Sequence, residues 1–137
     1  MDKKLLSLVF IFVLLFGGFS VTVLLGNRLQ RFTRAREFYT PSSKKSLIFA
    51  FPLQAKADGK DFSKITVFVR NEKGVPLAAK KVVLQSSLGT VKPETASTDK
   101  NGKVEFTIFS NQPGLAIVKA IVDNIEIEKT VSVKFSQ

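Results

Sequence analysis

Three small groups of side chains in this 137-residue sequence have residue types that could do chemistry: Asp58 with Asp61, Glu126 with Glu128, and Ser86-Ser87 near Lys80-Lys81. Paired carboxylates can share acid and base work or hold calcium, and a serine beside a lysine can hydrolyse without histidine. None of the three has the company its chemistry needs. Asp58 and Asp61 flank a Gly-Lys step, where aspartates bond to the backbone amides of a turn. Glu126 and Glu128 alternate along an expected strand and share one solvated face. Calcium takes about six to eight oxygens, more than either pair supplies. The serines and lysines are ordinary for the ends of exposed strands.

Composition removes further classes. The sequence has no Cys and no His, so disulfides, thiolate metal sites and cysteine nucleophiles are excluded, and the commonest general base and zinc ligand are missing. No P-loop, nucleophile elbow or Gly-rich dinucleotide turn occurs. The expectation is a chain that is not an enzyme, with no cofactor, no metal and no evident small-molecule substrate.

The elements around these groups are strands. After Ser46, short runs of β-branched and aromatic residues alternate with turn signals at Asp58-Gly59, Asn71 to Gly74, Asp99 to Gly102 and Asn111 to Gly114. About seven strands are expected: Leu47 to Pro52, Ser63 to Arg70, Lys80 to Gln85, Thr95 to Ser97, Val104 to Phe109, Ala116 to Val122, and Glu126 to Phe135, with Asp123-Asn124 turning the last hairpin. Alternation points fourteen side chains inward: Ile65, Val67, Val69, Val82, Leu84, Val104, Phe106, Ile108, Val118, Ala120, Val122, Val131, Val133 and Phe135. That set is enough to hold a sandwich without disulfides. It leaves Phe68, Phe109, Val83, Ile117 and Ile121 outward, a candidate protein-contact patch in which Phe68 and Phe109 would lie side by side on one sheet and the other three would cluster on the second. Against that reading stands the ordinary abundance of apolar atoms on protein surfaces.

The chain before Ser46 is of different material. Leu5 to Gly26 carries no charge, and 22 helical residues rise ~33 Å, enough for a hydrocarbon core of ~30 Å. A transmembrane helix at 5–26 is expected after a basic flank at 1–4. A cleaved signal peptide is the rival, with Gly18-Phe19-Ser20 as its cleavage region, but the apolar run resumes at once with Val21-Thr22-Val23-Leu24-Leu25. An uncleaved signal anchor fits better. Residues 27–45 read as a basic juxtamembrane linker, and 46–137 as the folded domain. Of the formal net charge of +10, residues 1–45 contribute eight basic and two acidic groups, a net +6. Arg28, Arg31, Arg34 and Arg36, interleaved with Leu29, Phe32, Phe38 and Tyr39, are expected at the membrane interface, with lipid as partner rather than nucleic acid. Counted literally, those arginines would keep the following domain in the cytoplasm.

The domain resembles the bacterial immunoglobulin-like domain of the invasin and intimin class. The residues carrying the resemblance are Ala57 to Asp61 followed by Ile65-Thr66-Val67, Asn71 to Pro76, Ser86 to Val91, Thr95 to Val104 with its Thr98-Asp99-Lys100-Asn101-Gly102 turn, and Gly114 with Ala116 to Val122. The resemblance implies an all-β immunoglobulin-like β-sandwich behind the N-terminal helix. It also implies an extracytoplasmic spacer or adhesion module at the cell surface, without shared catalytic residues, and another protein as partner. A single copy behind a helix departs from the tandem habit of such domains. The alternative is a cytoplasm-facing scaffold or docking subunit of a membrane complex.

Overall fold

The structure, a computed structural model, describes residues 2–137, of which residues 25–37 are described by their backbone alone. It contains one helix, α1 (Lys3–Tyr39), and ten strand segments. The chain divides into one unit over Met1–Glu37 and another over Phe38–Gln137.

The uncharged 5–26 segment lies within α1. The carbonyl of Asp2 accepts the N–H groups of Leu5 and Leu6 at 2.9 and 3.1 Å, which opens the first turn. The hydroxyls of Ser7 and Thr22 donate back to helix carbonyls, Ser7 to Lys4 O and Thr22 to Gly18 O and Phe19 O. These polar groups are therefore satisfied without water, as a helix in an apolar medium requires. The large apolar side chains from Leu5 to Leu24 expose between 46% and 71% of their surface, on every side of the helix.

The second unit is a two-layer sandwich. Its strands are β1 (Leu47–Phe51), β2 (Gln54–Lys56), β3 (Ser63–Phe68), β4 (Lys81–Ser86), β5 (Thr90–Lys92), β6 (Thr95–Ser97), β7 (Lys103–Phe109), β8 (Gly114–Val122), β9 (Ile125–Glu126) and β10 (Val131–Ser136). One sheet runs β1-β3-β7-β5 and the other β2-β10-β8-β4-β6, with β9 on β8. All pairings are antiparallel except β2 with β10. β1 and β2 are successive pieces of one path that changes sheet at Pro52-Leu53, so the N-terminal stretch of the domain closes one side of the sandwich.

The alternation assigns the core well. Thirteen of the fourteen expected inward side chains are buried, and Val131 is half-buried. Ile48, Ala55, Leu77, Ala116 and Ile127 join them. The Asp123-Asn124 turn takes φ of 47° and 68° and joins Val122 to its partner Ile125, the two-residue form that matches strand twist. The expected single strand Glu126 to Phe135 is instead two pieces. β9 pairs Ile121 with Glu126, β10 pairs Val118 with Val131, and the four residues 127–130 stand opposite only two of β8. The extra length is even, so the inward and outward faces stay in phase across the break and the alternation reads as continuous. β2 and β5 are strands that the turn signals did not reveal.

The chain joins the sandwich at one pole and runs out along β10 at the other. At the first pole Ser42 N–H donates to Arg70 O at 2.7 Å, and Ser46 Oγ both donates to Arg70 O and accepts its N–H. Fully buried Asn71 accepts the N–H groups of Lys73 and Val75 at 3.0 and 2.9 Å and donates to Phe38 O at 3.0 Å. Residues 38–46 are thus bonded into the domain.

Candidate interaction surface

The groups with chemical potential are occupied with structure. Asp58 Oδ1 accepts the N–H groups of Lys60 and Asp61, both at 2.8 Å, and those backbone bonds hold its carboxyl below the usual aspartate range. Asp61 accepts from Lys56 N–H and Phe62 N–H. Ser86 Oγ donates to Leu88 O at 2.6 Å, Ser87 Oγ accepts the Ile117 N–H, and Lys80 Nζ pairs with Asp123 at 2.9 Å. Glu126 pairs with Lys119 at 2.9 Å. Among the described residues no three His, Cys, Asp or Glu side chains converge as metal ligands.

The five outward apolar residues form only part of the two clusters expected of them. Phe68 and Phe109 lie on adjacent strands of one sheet but at opposite ends: Phe68 stands opposite Lys103, where β7 begins, and Phe109 lies at the end of β7, beyond the Ser63–Ile108 pair. Six residues of strand separate the two rows, ~20 Å. Phe68 meets Phe49 instead, edge to face at 6.1 Å, while Lys92 Nζ sits 5.5 Å over the Phe109 ring. On the second sheet Val83 and Ile121 are direct partners, bordering a hollow of about 410 Å³ with Lys81, Asp123 and Asn124. Ile117 lies four residues further along β8, with the ion-paired Lys119 between. The interface arginines Arg28, Arg31, Arg34 and Arg36 have side chains outside the described residues.

The larger exposed apolar surface is elsewhere. Phe49 and Phe51 project from β1 onto the outer face of the first sheet, opposite Thr66 and Lys64. Phe62 flanks them, and together with Ala50, Lys64 and Thr66 they line a shallow hollow of about 230 Å³. Phe51 is 81% exposed, Phe49 52%, Phe62 49%, and Leu53, at the crossing to β2, 59%. Sequence reasoning missed this patch because Leu47 to Phe51 is apolar at every position, which hides the face each side chain takes. The one usable signal was the length of that uncharged run. Beyond the patch, Glu105 bridges Lys103 at 2.9 Å and Lys64 at 3.9 Å. Its hydrogen bond and charge pairing with Lys103 lower the Glu105 pKa and raise that of Lys103.

Two antiparallel-rich sheets with a chain that crosses between them and a core of alternating side chains define an immunoglobulin-like module. Comparison with known proteins narrows the class. The chain belongs to the family described as bacterial Ig-like domain (group 1), which it matches over residues 47–136. It is 38% identical over 82 residues to intimin of Citrobacter freundii, a match covering 59% of this chain and 9% of that protein. A solved fragment of intimin in complex with the intimin-binding domain of the translocated intimin receptor is similar at 28% identity and TM-score 0.61, covering 70% of this chain and 33% of that one. The structure of invasin, described as a bacterial integrin-binding protein, is similar at 30% identity and TM-score 0.64, covering 71% and 20%. The chain therefore spans a small part of each relative.

Proposed function

We propose that this chain is a single-pass cell-envelope protein that holds one immunoglobulin-like domain outside the cytoplasm as a spacer or protein-binding module. The observation that carries the reading is an all-round apolar helix with self-satisfied polar groups on the same chain as a domain of the family that includes intimin. Water would not tolerate so much exposed hydrocarbon, whereas a bilayer would solvate it. The same helix near an N-terminus would serve as a signal sequence, but the apolar side chains continue past residue 20 to Leu24, which favours an anchor that stays. The anchor takes 5–26, the basic stretch after it contacts the headgroups through Arg28, Arg31, Arg34 and Arg36, and the immunoglobulin-like domain is presented beyond. Intimin and invasin are described with protein partners, which supports a protein as the partner here and a role other than catalysis.

The arginines after the helix favour a second reading, a cytoplasm-facing docking subunit, because basic flanks tend to stay inside. One cysteine separates the two. Asn101 lies exposed in the Asp99–Gly102 turn of a chain that has no cysteine. In cells making Asn101→Cys, labelling by a membrane-impermeant thiol reagent before lysis is expected. Labelling only after lysis would overturn the extracytoplasmic reading and leave the docking subunit.

A further inference from the structure

The sandwich has four edge strands, and three of them are protected. β2, β5 and β6 are three residues long; β2 ends in Lys56, β5 runs into Lys92-Pro93, and β6 follows Glu94. Short length, lysine and proline are the ordinary means of keeping an edge from pairing with another chain. β1 is followed by Pro52 but is guarded in no other way. It is five residues long, Leu-Ile-Phe-Ala-Phe, with no charge, no polar side chain and no proline, and β3 occupies only one of its sides. An edge of that composition is a template for a further strand.

The side chains on the outer face of β1 enlarge the template. From their fractional exposures, Phe49 and Phe51 leave roughly 200–330 Å² of apolar surface open. A standard interface covers ~800 Å² per partner, so these two side chains supply about a third of one before Leu47 and the paired backbone are counted.

We propose that β1 is the seam of a homodimer, pairing antiparallel with β1 of a second copy about a twofold axis at Phe49. This register uses all five residues: Phe49 meets Phe49 of the second copy, Ile48 meets Ala50, and Leu47 meets Phe51. The observed pairing of β1 with β3 then fixes the rows on the outer face. One row reads Lys64, Phe51, then Leu47 and Phe68 of the second copy, and the central row reads Thr66, Phe49, Phe49 and Thr66. Every phenylalanine of the patch on β1 lies against an apolar neighbour across the seam. The two Lys64 side chains fall in different rows at its outer margins, so the positive domains join without placing like charges opposite each other. Two four-stranded sheets become one of eight strands, and the open edge disappears. The interface is isologous, as a closed dimer requires. It stands or falls independently of which side of a membrane the domain faces.

The unit Phe38–Gln137 has its own core and suffices for the test. In sedimentation equilibrium over roughly 1 μM to 1 mM, a range that brackets weak dimers, its mass is expected to rise from one chain to two. Phe49→Glu, which places two carboxylates at the axis, is expected to abolish the rise with an unchanged circular dichroism spectrum. The register has its own readout. Only residue 49 meets itself, so Phe49→Cys should form a disulfide-linked dimer about tenfold or more faster than Leu47→Cys, because pairing holds only the former at high effective concentration. A monomer at every concentration overturns the proposal, as does equal oxidation of the two cysteine variants. A monomer that instead binds anionic phospholipid vesicles through Phe51 would also overturn it and give the patch to lipid.

Discussion

Asn71 offers the most direct test of how the first pole of the sandwich is held. Its side chain is fully buried and makes three hydrogen bonds: Oδ1 accepts from Lys73 and Val75 N–H, closing the turn after β3, and Nδ2 donates to Phe38 O. Asn71→Ala removes all three and leaves a cavity where a polar side chain stood. A net hydrogen bond contributes ~1 kcal/mol, and a donor left without a partner costs ~1–3 kcal/mol if water cannot reach it. Lys73 and Val75 are exposed, so water reaches their amides in part and the lower figures apply. The sum is about 2–3 kcal/mol, a large share of the ~5–15 kcal/mol that holds an ordinary domain. For ~100 residues each kcal/mol moves Tm by about 4–8 °C, so the expected fall exceeds ~8 °C. The chain has no Trp, and its one tyrosine, Tyr39, is exposed, so circular dichroism of Phe38–Gln137 in urea is the better probe. Asn71→Asp keeps both acceptor bonds but turns a carboxylate toward Phe38 O in place of the donor, and it should be destabilising as well. A loss below ~0.5 kcal/mol for Asn71→Ala would refute the view that this side chain organises the pole.

Two further predictions follow from backbone geometry and charge. Gly74 and Gly102 both have positive φ, 80° and 70°, but a Cβ at Gly74 meets nothing within 4 Å, whereas one at Gly102 would lie 2.5 Å from Val69 O. Gly74→Ala should therefore cost only the conformational term, ~1–2 kcal/mol, and Gly102→Ala measurably more in thermal melts; equal losses would remove the steric argument. Asp58 and Glu105 both titrate below their ordinary values, through backbone N–H bonds and Lys103 respectively. A depressed folded pKa gives stability that is present above the unfolded value, near pH 4, and lost as pH falls through the folded one. Urea midpoints should drop on acidification below about pH 4, and Asp58→Asn should flatten that drop; an unchanged slope would show that the turn does not depend on the charge. Lys103 has the opposite sign, with its share present below the unfolded lysine pKa and lost in strong alkali.

The sandwich was legible in the sequence because a strand buried on one face writes its burial as alternation. β3, β4, β7 and β8 carry Ile65, Val67, Val82, Leu84, Val104, Phe106, Val118 and Ala120 at every second position, and all are buried. The break between β9 and β10 was invisible for the same reason, since two extra residues keep the phase. The outward patch was read less well. Placing Phe68 beside Phe109 needs the register of β3 on β7, and register is set by partner strands far away in the chain, which alternation within one strand does not encode. The Phe49, Phe51 and Phe62 surface depended on β1 being an edge, a property of sheet order alone.

The lone parallel pairing in the sandwich bears on how the domain carries a mechanical load. β2 continues the path of β1 and lies alongside the end of β10, where the chain runs out, paired Gln54 to Lys134, Ala55 to Phe135 and Lys56 to Ser136. Tension between the two poles pulls β2 from its beginning and β10 from its end. Two parallel strands drawn in those opposed directions slide along one another, so their hydrogen bonds are strained together rather than peeled one at a time. A domain strung between an anchored end and a tethered load would resist stretching as a clamp and yield abruptly, instead of unzipping gradually from one edge.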